Sequence, residues 1–313
     1  MADATGFNAS LRNKLGTIFN FETQIEPFDI VLTFRKYIKR PKNYVGSEFK
    51  VFFGKYHGIS WINSELPDLI DLFAGIPKLS AHKNPKEIVR ELESMILKNT
   101  DGPVDFTPIR ANYGGIIPTR RCLDSFCGNG FLLMGDSACQ VEPLNGSGIA
   151  SGMLAGYLAA KTVNSIFEAG KEFTINNLWS YNYEWITNIG AQYASLDILR
   201  LFLLSITEND VSFLIKHKII TESELRKSMI GETIRVSLLE LIRKLFYGFS
   251  RMGLLLELNN AIRDADKIKK IYLNYPIHFD LHEFNRWKKT RDKILNKYYR
   301  KLKLRWQSRS APS

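Results

Sequence analysis

Cysteine is scarce in this chain of 313 residues: only Cys122, Cys127 and Cys139 occur. An odd count without a CxxC pair excludes a disulfide framework. Five scattered histidines add no zinc-ligand spacing, so no metal site is expected. His278 and His282 stand four apart, lack the acidic partner of a helical metal motif, and read as surface residues. No run of about 18 apolar residues occurs, so no membrane-crossing helix is expected. The opening Met1-Ala2-Asp3-Ala4-Thr5-Gly6 lacks the cationic and apolar regions of a secretory signal, and a reducing cytoplasm is the default compartment. There is no internal repeat. What is present is globular: 45% hydrophobic and 24% charged residues, with a mean hydropathy of −0.16. The length suits about two ordinary domains.

Acidic residues are nearly missing from the end of the chain. Residues 284–313 hold 11 Lys or Arg and one acid, Asp292, so this segment carries nearly all of the net +11. A near-neutral body with a basic tail argues against a nucleic-acid binder and for an appended electrostatic device. The tail interleaves its charge with Trp287, Ile294, Leu295, Tyr298, Tyr299, Leu302, Leu304 and Trp306. Two readings stay open: a basic helix drawn to an anionic membrane surface, and a solvated helix whose apolar stripe packs on the body.

Residues 1–16 read as a strand end, a turn and a short helix. Runs at 28–34, 48–53, 59–62, 68–73 and 109–117 read as strands of an antiparallel sheet, and 86–98 as an amphipathic helix. Residues 130–163 read as strand, loop and helix. From residue 178 the chain is mostly helical, with apolar spacing over 195–206, 211–220, 232–246 and 251–262.

The chemistry concentrates in 130–160. Gly130-Phe131-Leu132-Leu133-Met134-Gly135-Asp136 is a short apolar strand ending in Gly-Asp. Such a strand suits a sheet buried on both faces, with Asp136 at its carboxyl end, where α/β sheets bind ligands. A carboxylate there can accept hydrogen bonds from sugar or ribityl hydroxyls. Pro143 follows in a loop, then Gly146-Ser147-Gly148 and a helix from Ile149. These glycines leave free N–H groups at a helix start, a site for phosphate or a partly negative carbonyl. Taken alone, the three residues also suit an ordinary cap with a small-residue packing face. They are no dinucleotide fingerprint, because position 151 is Ser.

As a set, Gly135-Asp136-Ser137-Ala138-Cys139-Gln140-Val141, Pro143, Gly146, Gly148-Ile149, Met153, Gly156 and Ala159-Ala160 resemble the second FAD-binding motif of aromatic-hydroxylase-type flavoproteins. Within that group they look most like the geranylgeranyl reductase family, especially its archaeal members. Asp3-Ala4-Thr5-Gly6 with Ser10-Leu11-Arg12, and Gly114-Gly115-Ile116-Ile117-Pro118, are similar to family segments in the same order.

The resemblance implies an α+β flavoprotein with a partial Rossmann-like FAD-binding domain (1–20 and 115–168). It also implies an antiparallel substrate-binding sheet domain (21–114) and a helical C-terminal region (169–313). FAD is the implied cofactor, held by Gly135, Asp136, Pro143, Gly146, Ser147, Gly148, Ile149 and Arg12. The implied reaction is reduction of C=C bonds in geranylgeranyl or other isoprenoid lipids during membrane-lipid synthesis, at the inner face of the membrane. The family's lipid-cavity segment is matched only by Tyr56-His57-Gly58-Ile59-Ser60-Trp61-Ile62-Asn63. Tyr56 and Trp61 are its substrate candidates, with Trp61 equally suited to a structural role. No residue stands out as proton donor, and Cys139 reads as a packing residue. The family's GxGxxG region has no counterpart here. A non-catalytic alternative is therefore expected as well: a truncated or split partner that binds lipid or another subunit, with a second chain supplying the dinucleotide-binding half.

Overall fold

A computed structural model describes residues 1–19, 21–53, 57–80, 84–220 and 251–310. Tyr56 and the helix expected over 232–246 lie outside these. In chain order the strands and helices are β1 (Ala2–Asp3), α1 (Ser10–Phe19), β2 (Ile30–Lys39), β3 (Phe49–Phe53), β4 (Ile59–Asn63), β5 (Leu69–Pro77), α2 (Pro85–Lys98) and β6 (Tyr113–Pro118). They continue with β7 (Cys127–Gly128), β8 (Phe131–Leu133), α3 (Ile149–Glu168), α4 (Ile175–Trp185), α5 (Ala191–Ser205), α6 (Glu208–Lys216), α7 (Met252–Leu273) and α8 (Leu281–Ser310). The chain divides into two compact units, Met1–Ile25 with Pro118–Ser313, and Glu26–Ile117. The architecture is α+β.

The second unit is a five-stranded sheet in the order β3-β4-β5-β2-β6. Alternation along β5 sends Ile70, Leu72, Ala74 and Ile76 to one face, where Phe34 and Ile38 of β2 join them. Ile88, Val89, Leu92 and Ile96 of α2 close over that face. Asn84 caps α2 by accepting from the Lys86 N–H at 3.0 Å, with Pro85 at the first helical position. The strand expected to stop at Phe73 runs on to Pro77, because Gly75 pairs with Thr33 and Ile59 on its two sides. A Cβ on Gly58 would lie 2.2 Å from the Gly75 carbonyl oxygen, so the backbones meet there only as glycine.

The first unit holds a three-stranded sheet in the order β1-β8-β7. Ala2 and Asp3 of β1 run parallel to Leu132 and Leu133. Phe131, Leu132 and Leu133 are all buried, as the unbroken apolar run requires. α4 passes into α5 through one π-helical turn, Ile186–Gly190. A Cβ on Gly190 would come within 3.1 Å of the Trp185 ring.

Helix α8 carries the basic tail, and its apolar residues recur at three- and four-residue spacing. Phe284, Trp287, Leu295, Tyr298 and Leu302 are buried. Trp287 donates to the Ile271 carbonyl at 2.9 Å and packs edge-on against Tyr272 and Tyr275. The charged anchor is Asp124, buried on the segment before β7. Its carboxylate accepts from Arg291 of α8 and from Arg121 at 2.9 Å, and its carbonyl accepts from the Tyr275 hydroxyl at 2.8 Å. Burial pushes the nearby Glu22 up, but Arg120, Arg121 and Arg291 together hold it well below the usual carboxylate range. What α8 leaves exposed is mainly charge, and Lys289, Lys293 and Arg300 form no ion pair among the described residues. No described helix is long and apolar enough to cross a membrane.

Asp124→Ala would leave two buried guanidiniums without their shared counter-charge. It is expected to destabilise the protein by about 3–5 kcal/mol, read from chemical denaturation.

Candidate functional site

The site begins with Asp3. Its carboxylate accepts from the Thr5 N–H at 3.0 Å, the Thr5 hydroxyl at 2.7 Å and the Arg12 N–H at 2.8 Å. Burial acts to raise its pKa, but these hydrogen bonds outweigh burial and hold Asp3 below the ordinary value. The Asp3 carbonyl accepts from Met134 N–H at 3.0 Å and from the Ser137 hydroxyl at 2.7 Å. Asp3 therefore fixes β1, the start of α1 and the turn after β8 to one another.

That turn is a short 3-10 segment, Gly135–Ala138, between two residues of positive φ: Gly135 at 67° and Cys139 at 54°. Gln140 locks it by accepting from Gly135 N–H at 2.7 Å and donating to Tyr181 of α4 at 3.1 Å. Tyr181 in turn donates to the Leu133 carbonyl at 2.9 Å. Arg12 is buried, and its guanidinium donates to the Ser137 carbonyl at 2.5 Å. It braces the turn from behind. Cys139 is a buried thiol that the Arg12 guanidinium reaches at 4.0 Å, and the other two cysteines are also buried. Burial pushes the Cys127 thiol up to about 12.

Asp136 sits on this turn, half-buried. Burial raises its pKa, and no donor among the described residues reaches its carboxylate. Close by, α3 opens at Gly148 without a side-chain cap and without an acid in its first turn. Among the described residues no side chain caps its first N–H groups, and its dipole favours negative charge there. A Cβ on Gly148 would lie 3.2 Å from Val141 and 3.5 Å from an Asp136 oxygen, so glycine keeps this approach open. Gly146 has a φ of 74° and Ser147 is exposed. Pro143 is buried in the loop between. Ile149, Met153 and Tyr157 form a stripe one helical turn apart on α3, with exposures of 83%, 72% and 65%. The donor set suits an anion or a hydroxyl-bearing ligand, and the stripe suits a flat apolar one.

The sequence had given Glu142 and Tyr193 no role. Glu142 is buried, and its carboxylate accepts from the Asn145 N–H at 2.6 Å. Burial pushes its pKa up to about 7 against those hydrogen bonds. Tyr193, on α5, is raised mainly by burial, with a Ser151 hydrogen bond opposing and the charge of Glu142 adding. Ser151 itself donates to the Gln140 carbonyl at 2.6 Å. A buried acid at position 142 was legible only through its neighbours in the fold.

Trp61 lies on β4 in the other unit, half-buried and stacked on Phe73 with ring centres 3.8 Å apart. Its indole N–H donates to Asp71 at 3.1 Å, and Arg35 grips the same carboxylate through two bonds of 2.8 and 2.7 Å. The hydrogen bond to Asp71 is the main cause that raises the Arg35 pKa. These residues occupy the sheet face opposite α2. Among the described residues no group of His, Cys, Asp and Glu is placed to hold a metal ion.

No protein-family model matches the chain. A digeranylgeranylglycerophospholipid reductase of Sulfolobus acidocaldarius is 27% identical over 306 residues, covering 96% of this chain and 66% of that protein. The chain is similar in sequence to digeranylgeranylglycerophospholipid reductases. Digeranylgeranylglycerophospholipid reductase 2 of Methanococcoides burtonii is 26% identical over 65% of this chain and 49% of its own length. Among solved structures, a geranylgeranyl bacteriochlorophyll reductase-like protein of Thermoplasma acidophilum aligns with a TM-score of 0.62 at 14% identity. That alignment covers 83% of this chain and 61% of the other. A flavin-dependent brominase aligns with a TM-score of 0.53 at 19% identity. Both share the fold. The chain thus spans about two thirds or less of the length of these relatives.

Glu142 has a folded pKa raised above its unfolded value. Its contribution to stability is complete below about pH 4.5 and is lost as pH rises through about 7. Thermal or urea unfolding between these limits should show wild type losing up to about 3 kcal/mol relative to Glu142→Gln. Parallel curves for the two proteins would contradict a buried neutral acid.

Proposed function

We propose that this chain carries flavin-binding and substrate-binding elements of an FAD-dependent oxidoreductase that reduces C=C bonds in isoprenoid lipid chains. The carrying observation is Asp136: a half-buried carboxylate without a donor among the described residues, 3.5 Å from the Cβ position of Gly148 at an uncapped helix start. Homology to named geranylgeranyl reductases supplies the reaction class. When bound, reduced FAD supplies the hydride for the alkene.

The chain's own residues divide the remaining work. Asp136 accepts hydrogen bonds from ribityl hydroxyls. The N–H groups of Gly148 and Ile149 and the dipole of α3 favour negative charge at the pyrophosphate or the pyrimidine edge. Gly146, Ser147 and Pro143 shape the loop that brings those amides forward. Gly135 gives the backbone the positive φ that aims Asp136, and Arg12 holds the same turn. In the sheet unit, Trp61 and Phe73 offer a stacked aromatic surface suited to a prenyl chain. The exposed Lys289, Lys293 and Arg300 of α8 suit the headgroups of an anionic membrane, at about 1 kcal/mol per Lys or Arg near the surface.

A second reading has its own observation. β1 is an edge strand, and the Ile149, Met153 and Tyr157 stripe is uncovered. Both suit a second chain that supplies a dinucleotide-binding half, in which case this chain binds lipid or its partner and no flavin alone.

The purified chain, titrated with FAD, should acquire a flavin absorbance spectrum, and Asp136→Ala should weaken binding about 10- to 100-fold. A folded protein that takes up no FAD would exclude autonomous flavin chemistry and favour the second reading. Deleting α8 would remove core residues, so the membrane proposal is tested by charge. Lys289→Glu with Lys293→Glu and Arg300→Glu should lower binding to phosphatidylserine vesicles at low salt at least about 10-fold. Unchanged vesicle binding would remove the membrane role.

A further inference from the structure

One buried acid beside the site has no role in the flavin reading. Glu142 is 3% exposed and clasps the five residues that follow it from three atoms. Its carboxylate Oε2 accepts from the Asn145 N–H at 2.6 Å, and the Leu144 N–H also donates to the carboxylate. Its carbonyl accepts from Gly146 N–H at 3.0 Å, and its own N–H donates to the Ser147 carbonyl at 2.9 Å. Pro143 lies inside this clasp and has no N–H of its own to contribute. Without the carboxyl, the Leu144 and Asn145 amides would lose their acceptor, and the loop would keep only its two backbone bonds to residue 142.

The second carboxyl oxygen, Oε1, is buried with no hydrogen-bond partner among the described residues. A carboxyl in that setting is cheaper to bury neutral than charged. Among the described residues no cation offsets that burial, and the Tyr193 phenol of α5 feels the charge of Glu142. An anionic group at the start of α3 would add negative potential to this neighbourhood and would favour the neutral acid more.

We propose that Glu142 is the positioning residue of the ligand loop: as a neutral acid it fixes residues 143–147, and with them the amides that open α3, so that an anionic flavin group binds without ordering the loop. The clause that the ligand is a flavin rests on the function proposed above; the clasp itself does not. Formation of the complex is therefore tied to a proton held on Glu142, and affinity falls as that proton is lost.

Two measurements on the full chain test this, with wild type, Glu142→Gln and Glu142→Ala. Amide hydrogen exchange, corrected for intrinsic rates, is followed over 142–148 at about pH 6 and about pH 8, and FAD affinity is titrated at the same two values. In wild type, exchange over 142–148 should rise and FAD affinity fall about 10-fold between the two pH values, one decade for each pH unit of titration completed. Glu142→Gln, which keeps an acceptor and has no proton to lose, should flatten both. Glu142→Ala should exchange quickly and bind weakly at both pH values while its other segments stay protected. Should the alanine variant fail to fold, the pH profiles of wild type and Glu142→Gln decide alone. Equal loop exchange in wild type and Glu142→Gln at both pH values would overturn the proposal. If wild type takes up no FAD while the loop still responds as described, the flavin reading falls and the positioning role of Glu142 stands.

Discussion

The site depends on a single carboxylate that takes no part in ligand chemistry. Asp3 accepts three hydrogen bonds on its side chain and two more on its carbonyl, and these join β1, the start of α1 and the turn after β8. A turn with positive φ at both ends is conformationally expensive and persists only where its surroundings over-determine it. Here Asp3 and Arg12 hold it from one side, and Gln140 and Tyr181 from the other. The outcome is that Asp136 stands on a braced turn with no donor to its carboxylate among the described residues.

The same economy governs the helical part. A helix as basic as α8 carries charge that resists burial, yet its apolar residues are buried and its Arg291 meets Asp124 inside. Dry aromatic packing around Trp287 supplies the driving force, and Asp124 neutralises part of the charge that packing brings inward. The remaining cations are left on the outer face. Structure and surface electrostatics are thus separated along one helix by its period.

Much of this was legible in residue order. Phe131-Leu132-Leu133 bounded by glycines read as a strand buried on both faces, and alternation at Ile70, Leu72, Ala74 and Ile76 belongs to a half-buried strand. The helix expected from residue 86 begins one residue earlier, at Pro85, because its cap and first-turn proline are local signals. Strand ends were less legible. β5 passes through Gly75 because its neighbours pair there, and pairing is a long-range fact. The apolar residues of α8 fitted a membrane or a core equally well, since both are satisfied by the same stripe.

The sequence by itself determined the Gly135-Asp136 strand end, the glycines that keep the start of α3 open, and the family likeness that those motifs carry. It did so because backbone conformation and helix starts are local properties of a few residues. Only the tertiary structure decided what each polar group meets. It turned Arg12 inward to Ser137 and left Asp136 without a donor among the described residues. It also buried Glu142 with one oxygen committed and one alone. Burial and partnership are set by residues distant in the chain, and a carboxylate's protonation and reach follow from those.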